Sequence, residues 1–227
     1  MHIASCCASL HIYTDGSKSD DGRVGCAFHV PSQKISKNYR LTDNASVYTS
    51  ELMAINLCLK WASTQADRDI AIFSDSLSAL KSIQELHSNS RPNLLFEVLT
   101  LLRLFHHNGR SVKLIWIPSH VGLLGNEVVD QAAKDALSKV NFDYHVELET
   151  SEVINFVNAR IIKQWQTHWN DSSTGSFYRN IEPEISSAIK FQAQPRRKET
   201  CITRLRLGKC YLKHYLFTIG CHTDGLC

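Results

Sequence analysis

The chain lacks any long hydrophobic run. No apolar stretch among its 227 residues approaches the roughly 20 residues that a membrane-spanning helix needs. The first residues, Met1 to Cys7, contain no basic cluster ahead of a long apolar stretch, and we therefore expect no signal peptide. Internal repeats and low-complexity tracts are also lacking. These absences lead us to expect a soluble, intracellular protein, cytoplasmic or nuclear, with no membrane partner. The sequence does not determine the oligomeric state, for which a monomer is our expectation.

A disulfide framework is also lacking, although the chain has eight cysteines. Cys6-Cys7 are adjacent, while Cys26 and Cys58 lie inside apolar runs, which predicts buried free thiols in a reducing compartment. Near the end of the chain, Cys221-His222 and Cys227 lack the number and spacing of ligands that a closed zinc site requires. We assign no structural zinc.

Net charge is low as well, at +3, and does not by itself indicate a nucleic-acid-binding protein. The charge is unevenly distributed, because eight cations and one anion, Glu199, lie between Lys190 and Lys213. Such a run is usually a solvated face. A partner that carries phosphate groups is the second interpretation, with Arg196, Arg197 and Lys198 as candidate contacts.

Apolar periodicity predicts nine elements within residues 8–140, in the order β-β-β-α-β-α-α-β-α. The predicted strands are 10–15, 23–30, 34–41, 69–74 and 111–117, and the predicted helices are 47–65, 77–86, 93–107 and 126–139. Helical crossovers between strands imply a mixed α/β sheet with helices on both faces. Residues 142–150 have the composition of a linker, and a helix over 152–169 precedes short basic helices. We therefore predict a domain at 8–140 and a helical, basic extension at 141–227.

Four carboxylates occupy suggestive places in this pattern. Asp15 ends the first predicted strand, Asp75 follows the fourth, Glu51 lies early in the first helix and Asp130 early in the last. Ligands of open α/β sheets gather at the carboxyl ends of the strands. Because two carboxylates ~4 Å apart repel by about 4 kcal/mol at an effective dielectric near 20, such a cluster needs protons or cations. Oxygen ligands favour Mg²⁺ or Mn²⁺, and two such ions can clamp a phosphodiester.

Each acid also has an ordinary structural explanation. Asp15 would suit a turn, Glu51 a solvated helix face, Asp75 a helix N-cap, and Asp130 a favourable position in the helix dipole. His120, in the loop after the fifth strand, is either a surface residue or a proton shuttle near a scissile phosphate. The placement of two acids at strand ends favours a shared site.

The ordered set of motifs resembles type 1 ribonuclease H, in the form that follows reverse transcriptase in non-LTR retrotransposon polyproteins. The matching segments, all within residues 8–140, are Thr14-Asp15-Gly16-Ser17, Ser50-Glu51-Leu52, Ser74-Asp75-Ser76, and the run from Trp116 through His120 to Asp130. The tail segments 203–208 and 212–216 resemble the stretch before a Cys/His knuckle in those polyproteins.

The resemblance implies a ribonuclease H-like fold, with a five-stranded mixed sheet in the order 3-2-1-4-5. It also implies two Mg²⁺ ions, with Mn²⁺ as a substitute, held by Asp15, Glu51, Asp75 and Asp130 and assisted by His120. The implied reaction is hydrolysis of the RNA strand of an RNA–DNA hybrid, leaving 5′-phosphate and 3′-hydroxyl ends. Hybrid selectivity depends on reading the 2′-hydroxyl groups of one strand.

The implied nucleic-acid contacts are Gly16, Ser17, Ser76 and Asn126, together with the basic residues Arg196, Arg197 and Lys198. A reverse transcriptase module of the same polyprotein is an implied partner. The chain departs from many members of the family at Val47-Tyr48, where they carry an Asn-Gln or Asn-Asn pair. We also expect it to lack the basic helical protrusion and the separate N-terminal hybrid-binding domain of some members. We expect deletion of residues 190–227 to weaken hybrid binding and flatten its salt dependence.

Two alternatives belong to other classes. One is a catalytically idle, retrotransposon-derived fragment that still binds nucleic acid. The other is a transposase or integrase of the same superfamily, in which a late helix also carries an acid. The early Glu51 and the spacing from His120 to Asp130 favour ribonuclease H.

Overall fold

The computed structural model describes residues 10–185 and 195–226. The strands are β1 (Leu10–Lys18), β2 (Val24–Val30), β3 (Ile35–Leu41), β4 (Asp69–Ser74) and β5 (Ser111–Trp116). The helices are α1 (Val47–Ser63), α2 (Leu77–Glu85), α3 (Pro92–His107), α4 (Leu124–Ala136), α5 (Thr150–Asp171), α6 (Ser176–Ile181), α7 (Arg196–Arg206) and α8 (Lys213–Thr218). The chain divides into two compact units, Met1–Ile154 and Asn155–Cys227.

The first unit contains a five-stranded mixed sheet in the order β3-β2-β1-β4-β5, which confirms the predicted topology. β2 pairs antiparallel with both β1 and β3, whereas β4 pairs parallel with both β1 and β5. Each parallel connection passes through helices, as the crossover rule requires. The fold is ribonuclease H-like, with helices around the sheet and further helices at the C-terminal end.

The sheet is covered on both faces because successive strand residues point in opposite directions. Ile12 belongs to a buried cluster with Ile55 of α1, and the same cluster includes residues of α2 and α3. Tyr13 and Ala27 pack instead with Val129 of α4 on the opposite face. Burying one such aliphatic side chain contributes roughly 1.5–3 kcal/mol, so these two clusters account for much of the stability of the sheet.

The predicted end of the first strand at Asp15 is wrong. Pairing with β4 stops at Thr14, but β1 remains paired with β2 as far as Lys18. Asp15 and Gly16 therefore lie inside an antiparallel hairpin rather than at a turn. The strand continues because β2 pairs with a later part of β1, Tyr13 to Lys18, than β4 does.

Residues 142–150, predicted to be linker-like, pack against the sheet. The backbone N–H groups of Asp143 and Tyr144 donate to the carbonyl of Arg40 at 2.8 and 3.2 Å. Tyr144 also forms an isolated bridge with Leu41 at the end of β3. This segment is part of the first unit. The domain boundary near residue 140 stays a prediction.

The second unit consists of short helices and most of α5. The indole of Trp169 donates to the carbonyl of Glu182 at 3.2 Å, and the Arg179 guanidinium donates to the carbonyls of Asn170 and Ser172. The predicted basic helix is α7, whereas Lys190 lies outside the described residues. None of the helices in the described part of the chain is long and apolar enough to cross a membrane.

The predicted buried thiols are confirmed for the two cysteines that apolar runs enclose. Cys26 and Cys58 are free and fully buried, and burial raises the pKa of both thiols. Cys6-Cys7 and Cys227 lie outside the described residues.

Candidate active site and metal centre

Three carboxylates converge beside the centre of the sheet. Asp15, Glu51 and Asp75 each offer an oxygen, and these oxygens lie within 4.8 Å of one another. Asp15 lies one residue beyond the last β1–β4 pair, Thr14 with Ser74, and Asp75 directly follows β4. The two neighbouring parallel strands therefore deliver their carboxylates to one edge, as their positions in the sequence predict.

Gly16 brings the third carboxylate within reach. A Cβ atom at this position would lie 2.4 Å from Ser50 Oγ and 2.6 Å from the Glu51 backbone nitrogen. Only a residue without a side chain allows β1 to approach the first turns of α1 so closely. Gly16 thus serves the contact between the strand and the helix.

The electrostatics of the cluster show how poorly these carboxylates tolerate ionisation by themselves. Asp15 and Glu51 are each only 6% exposed. Burial, reinforced by Asp75 and Asp130, raises the pKa of Asp15 to about 7, against a smaller lowering by the Gly16 amide and Lys134. Burial, then Asp15 and Asp75, raises the pKa of Glu51 well above its usual value.

This donor set fits a hard divalent cation. All of its ligand atoms are carboxylate oxygens, which suit Mg²⁺ or Mn²⁺ better than softer metals. In addition, Glu51 Oε2 is buried and accepts no hydrogen bond from the described residues. A buried carboxylate oxygen without a partner is costly, and a cation would satisfy it.

A cavity of about 560 Å³ opens over the carboxylates and contains most of the other predicted site residues. Its lining includes Gly16, Ser76, His120, Asn126 and Asp130, together with the three acids. The structure thus brings eight of the twelve predicted residues together. Ser17 is not among the lining residues. Arg196 and Arg197 line a cavity of the second unit, on the α7 helix that also carries Lys198.

Asp130 and His120 lie at the more accessible part of this cavity. Asp130 Oδ2 accepts a hydrogen bond from Lys134 Nζ at 2.7 Å, one helical turn further along α4. His120 is exposed and adopts a left-handed backbone conformation, with φ of 56°. Asp130 therefore has a counter-ion in Lys134, whereas no ion pair joins Asp15, Glu51 or Asp75 to another described residue.

One of the structural explanations fails, and the predicted start of the last helix is displaced. Asp75 does not cap α2, because the hydroxyl of Ser76 accepts the hydrogen bond from the Ala79 amide. The predicted start of the last helix at residue 126 is wrong, because α4 begins at Leu124. The Asn126 side chain is buried at the cavity, and its Oδ1 has no hydrogen-bond partner among the described residues.

Two residues beside the site were missed from the sequence. Lys134 is four residues after Asp130, a spacing that puts both on one helix face and could have revealed the pair. Trp116 donates from its indole Nε1 to the backbone carbonyl of Asp75 at 3.1 Å. No local pattern signals this second contact, because it joins residues on adjacent strands.

Known proteins resemble this chain in sequence and in structure. A sequence model of the RNase H family matches residues 8–138, which is more than half of the chain. The chain belongs to the RNase H family. It is also similar in structure to RNase H1 from the halophilic archaeon Halobacterium salinarum NRC-1, with 19% sequence identity and a TM-score of 0.46. That similarity covers 56% of this chain and 96% of the archaeal one.

Proposed function

We propose that the chain is an endoribonuclease that hydrolyses the RNA strand of RNA–DNA hybrids and leaves 5′-phosphate and 3′-hydroxyl ends. Membership of the RNase H family supports the substrate class. The observation that carries the catalytic proposal is the convergence of Asp15, Glu51 and Asp75 at one edge of the sheet. Glu51 Oε2, which is buried and has no hydrogen-bond partner among the described residues, further supports a cation at this site.

We assign Asp15, Glu51, Asp75 and Asp130 as ligands of two Mg²⁺ ions, with Mn²⁺ as an alternative. When bound, such ions supply an activated water and stabilise the leaving oxygen of a phosphodiester. The protein contributes carboxylates held close together and desolvated, so that a cation relieves the cost that raises the pKa of Asp15 and Glu51. Asp130, now paired with Lys134 at 2.7 Å, would serve as a further carboxylate ligand when a cation is bound.

His120 is the proposed proton carrier. It lines the cavity from an exposed loop, where its imidazole can take a proton from the solvent and pass it to the departing oxygen. Its exposure suits exchange of protons with water. The buried carboxylates are unsuited to that role because they serve as cation ligands.

Nucleic-acid contacts are proposed on both units. Gly16, Ser17, Ser76 and Asn126 lie at or beside the cavity and offer backbone and side-chain hydrogen bonds to a substrate. Arg196, Arg197 and Lys198 provide phosphate contacts from α7. The proposed context remains a retrotransposon polyprotein with a reverse transcriptase module.

Val47-Tyr48 line the same cavity, where many family members carry amide side chains. Val47 is 49% exposed and offers an apolar surface. Tyr48 is engaged elsewhere, because its hydroxyl donates to Ser88 Oγ at 2.8 Å. We therefore propose that this chain reads the hybrid minor groove more by shape than by hydrogen bonds to base edges.

The test is cleavage of a labelled RNA–DNA hybrid with Mg²⁺, alongside RNA duplex and DNA duplex. We expect cutting of the hybrid's RNA strand alone, lost in Asp75→Asn and after EDTA treatment. Asp135→Asn is the matched control, because Asp135 is an exposed aspartate that does not line the cavity.

Cleavage that survives in Asp75→Asn or in EDTA would refute the proposed metal site. A folded chain that binds hybrid without cutting it would instead support the idle nucleic-acid-binding fragment.

A further inference from the structure

Glu152, a residue of α5 beyond the segment that the family model matches, binds the start of α1 through its carboxylate. Glu152 Oε1 accepts hydrogen bonds from the backbone N–H of Ser46 and from Thr49 Oγ1, both at 2.7 Å. Ser46 is the N-cap of α1, and its own hydroxyl accepts from the Thr49 amide. Glu152 therefore supplies a second, charged cap at the positive end of this helix.

Arg91 holds Glu152 in place from the start of α3. The guanidinium pairs with Glu152 Oε2, and its Nε donates to Thr49 Oγ1 at 2.9 Å. The side chains of the ion pair are only 9% and 5% exposed. We call Arg91, Glu152 and Thr49 the Glu152 clamp.

The hydrogen bonds of the buried clamp favour the ionised form of Glu152. Burial opposes ionisation, but hydrogen bonds from Ser46 and Thr49 hold the pKa of Glu152 below its ordinary value. Further bonds complete it: Arg91 Nη1 donates to the Glu147 carbonyl, and the Glu149 amide donates to Glu152 Oε2 at 3.1 Å. A buried pair with its remaining hydrogen-bonding capacity met can persist as a rigid unit.

The clamp lies close in sequence to a candidate metal ligand. Thr49 precedes Glu51 by two residues, and the adjoining turn packs so closely on β1 that a Cβ at Gly16 would collide with it. A small displacement of this turn would move Glu51 relative to Asp15 and Asp75. Misplacement of a catalytic group by ~1 Å can cost about 100-fold in rate.

We propose that Glu152 is a positioning residue for Glu51, acting through Ser46 and Thr49 to fix the first turn of α1. Its catalytic readout rests on the proposed function. The functional domain would accordingly extend past the segment that the family model matches, residues 8–138. Glu152 on α5 would be part of it, although Glu152 acts on the position of Glu51 only indirectly.

The experiment compares Glu152→Gln, Arg91→Met/Glu152→Met and Glu97→Gln in the full chain. Glu97 is the matched control, because it also contacts α1, through Lys60 at 3.0 Å and Asn56 at 3.2 Å, but in the second half of the helix. The double variant replaces the buried pair with apolar side chains, which commonly preserves stability.

Three quantities are measured: kcat and KM for hybrid, Mn²⁺ affinity of the cation-free chain by calorimetry, and amide exchange along α1. We expect Glu152→Gln and the double variant to lower kcat at least about tenfold with KM nearly unchanged. Mn²⁺ affinity should fall severalfold, and exchange should rise at residues 47–52 but not at 55–63. Glu97→Gln should leave kcat and Mn²⁺ affinity unchanged.

Recovery of full activity in the double variant would overturn the proposal, since it would show that Glu152 contributes only stability. Amide exchange in Glu152→Gln that is uniformly faster than in the wild type along α1 would also overturn the proposal. Unchanged amide exchange at residues 47–52 would do the same. If the wild-type chain fails to cut hybrid, the proposed function fails separately. Amide exchange and Mn²⁺ binding still decide whether Glu152 positions Glu51.

Discussion

Replacement of Asp15 by asparagine should stabilise the cation-free chain at high pH. Burial and the neighbouring acids raise the pKa of Asp15 from 3.8 to about 7. Because a tenfold change in proton affinity corresponds to about 1.4 kcal/mol, ionised Asp15 costs the folded state roughly 4 kcal/mol. An amide has no charge to desolvate and can still accept a hydrogen bond from Gly16.

The sign of the pH dependence follows from linkage. Between pH 4 and pH 7 the folded chain binds a proton at Asp15 that the unfolded chain has already released, so stability falls as the pH rises through this range. The cost is absent at lower pH and fully present above pH 7. Asp15→Asn should therefore gain roughly 2–4 kcal/mol at pH 8 and close to nothing at pH 4.

The assay is unfolding by urea in the presence of EDTA at both pH values, with amide exchange in β1 and β4 to observe the first unit alone. Asp135→Asn, at an exposed position, should change stability little at either pH. Saturating Mg²⁺ should stabilise the wild-type chain at pH 8 and reduce the advantage of Asp15→Asn. An equal gain at both pH values, or no gain at pH 8, would refute the electrostatic reasoning.

Three further predictions concern the surroundings of the site and the second unit. Lys134→Met should raise Mn²⁺ affinity severalfold in calorimetry, because Asp130 loses its competing partner at 2.7 Å; weaker binding would contradict that competition. Gly125→Ala should destabilise the first unit by about 1–3 kcal/mol in urea unfolding, because the new Cβ would lie 2.4 Å from the Tyr13 ring. Neutralising all three cations at 196–198 with alanine should reduce the salt slope of hybrid binding by up to about 2–3. An unchanged slope would reject their phosphate contacts.

Much of the candidate site could be predicted because short segments of the sequence place its carboxylates at the ends of strands or early in helices. A buried apolar run followed by Asp75 predicts a carboxylate at a strand end, and β4 ends at Ser74 as expected. Apolar surroundings likewise predicted the burial of Cys26 and Cys58. Alternation and helical periodicity located the elements of the first unit to within a few residues. These features depend on which face of a local segment is buried, and local residue order carries that information.

Other features depend on partners that are distant in sequence. The length of β1 beyond Asp15 is decided by pairing with β2, and the need for glycine at position 16 by the approach of α1. Local composition favoured a turn at Asp15, but pairing with β2 keeps this residue in an extended strand.

The amino-acid sequence by itself determined the family, the order of elements and which carboxylates are available to the candidate site. Tertiary structure alone decided how close those carboxylates come and which distant groups hold them there. Their burial and proximity raise the pKa of Asp15. Glu152 is 103 residues from Thr49 and 61 from Arg91, yet all three meet in one buried cluster. The physical reason is that desolvation and hydrogen bonding act through space, whereas sequence patterns report only on neighbours along the chain.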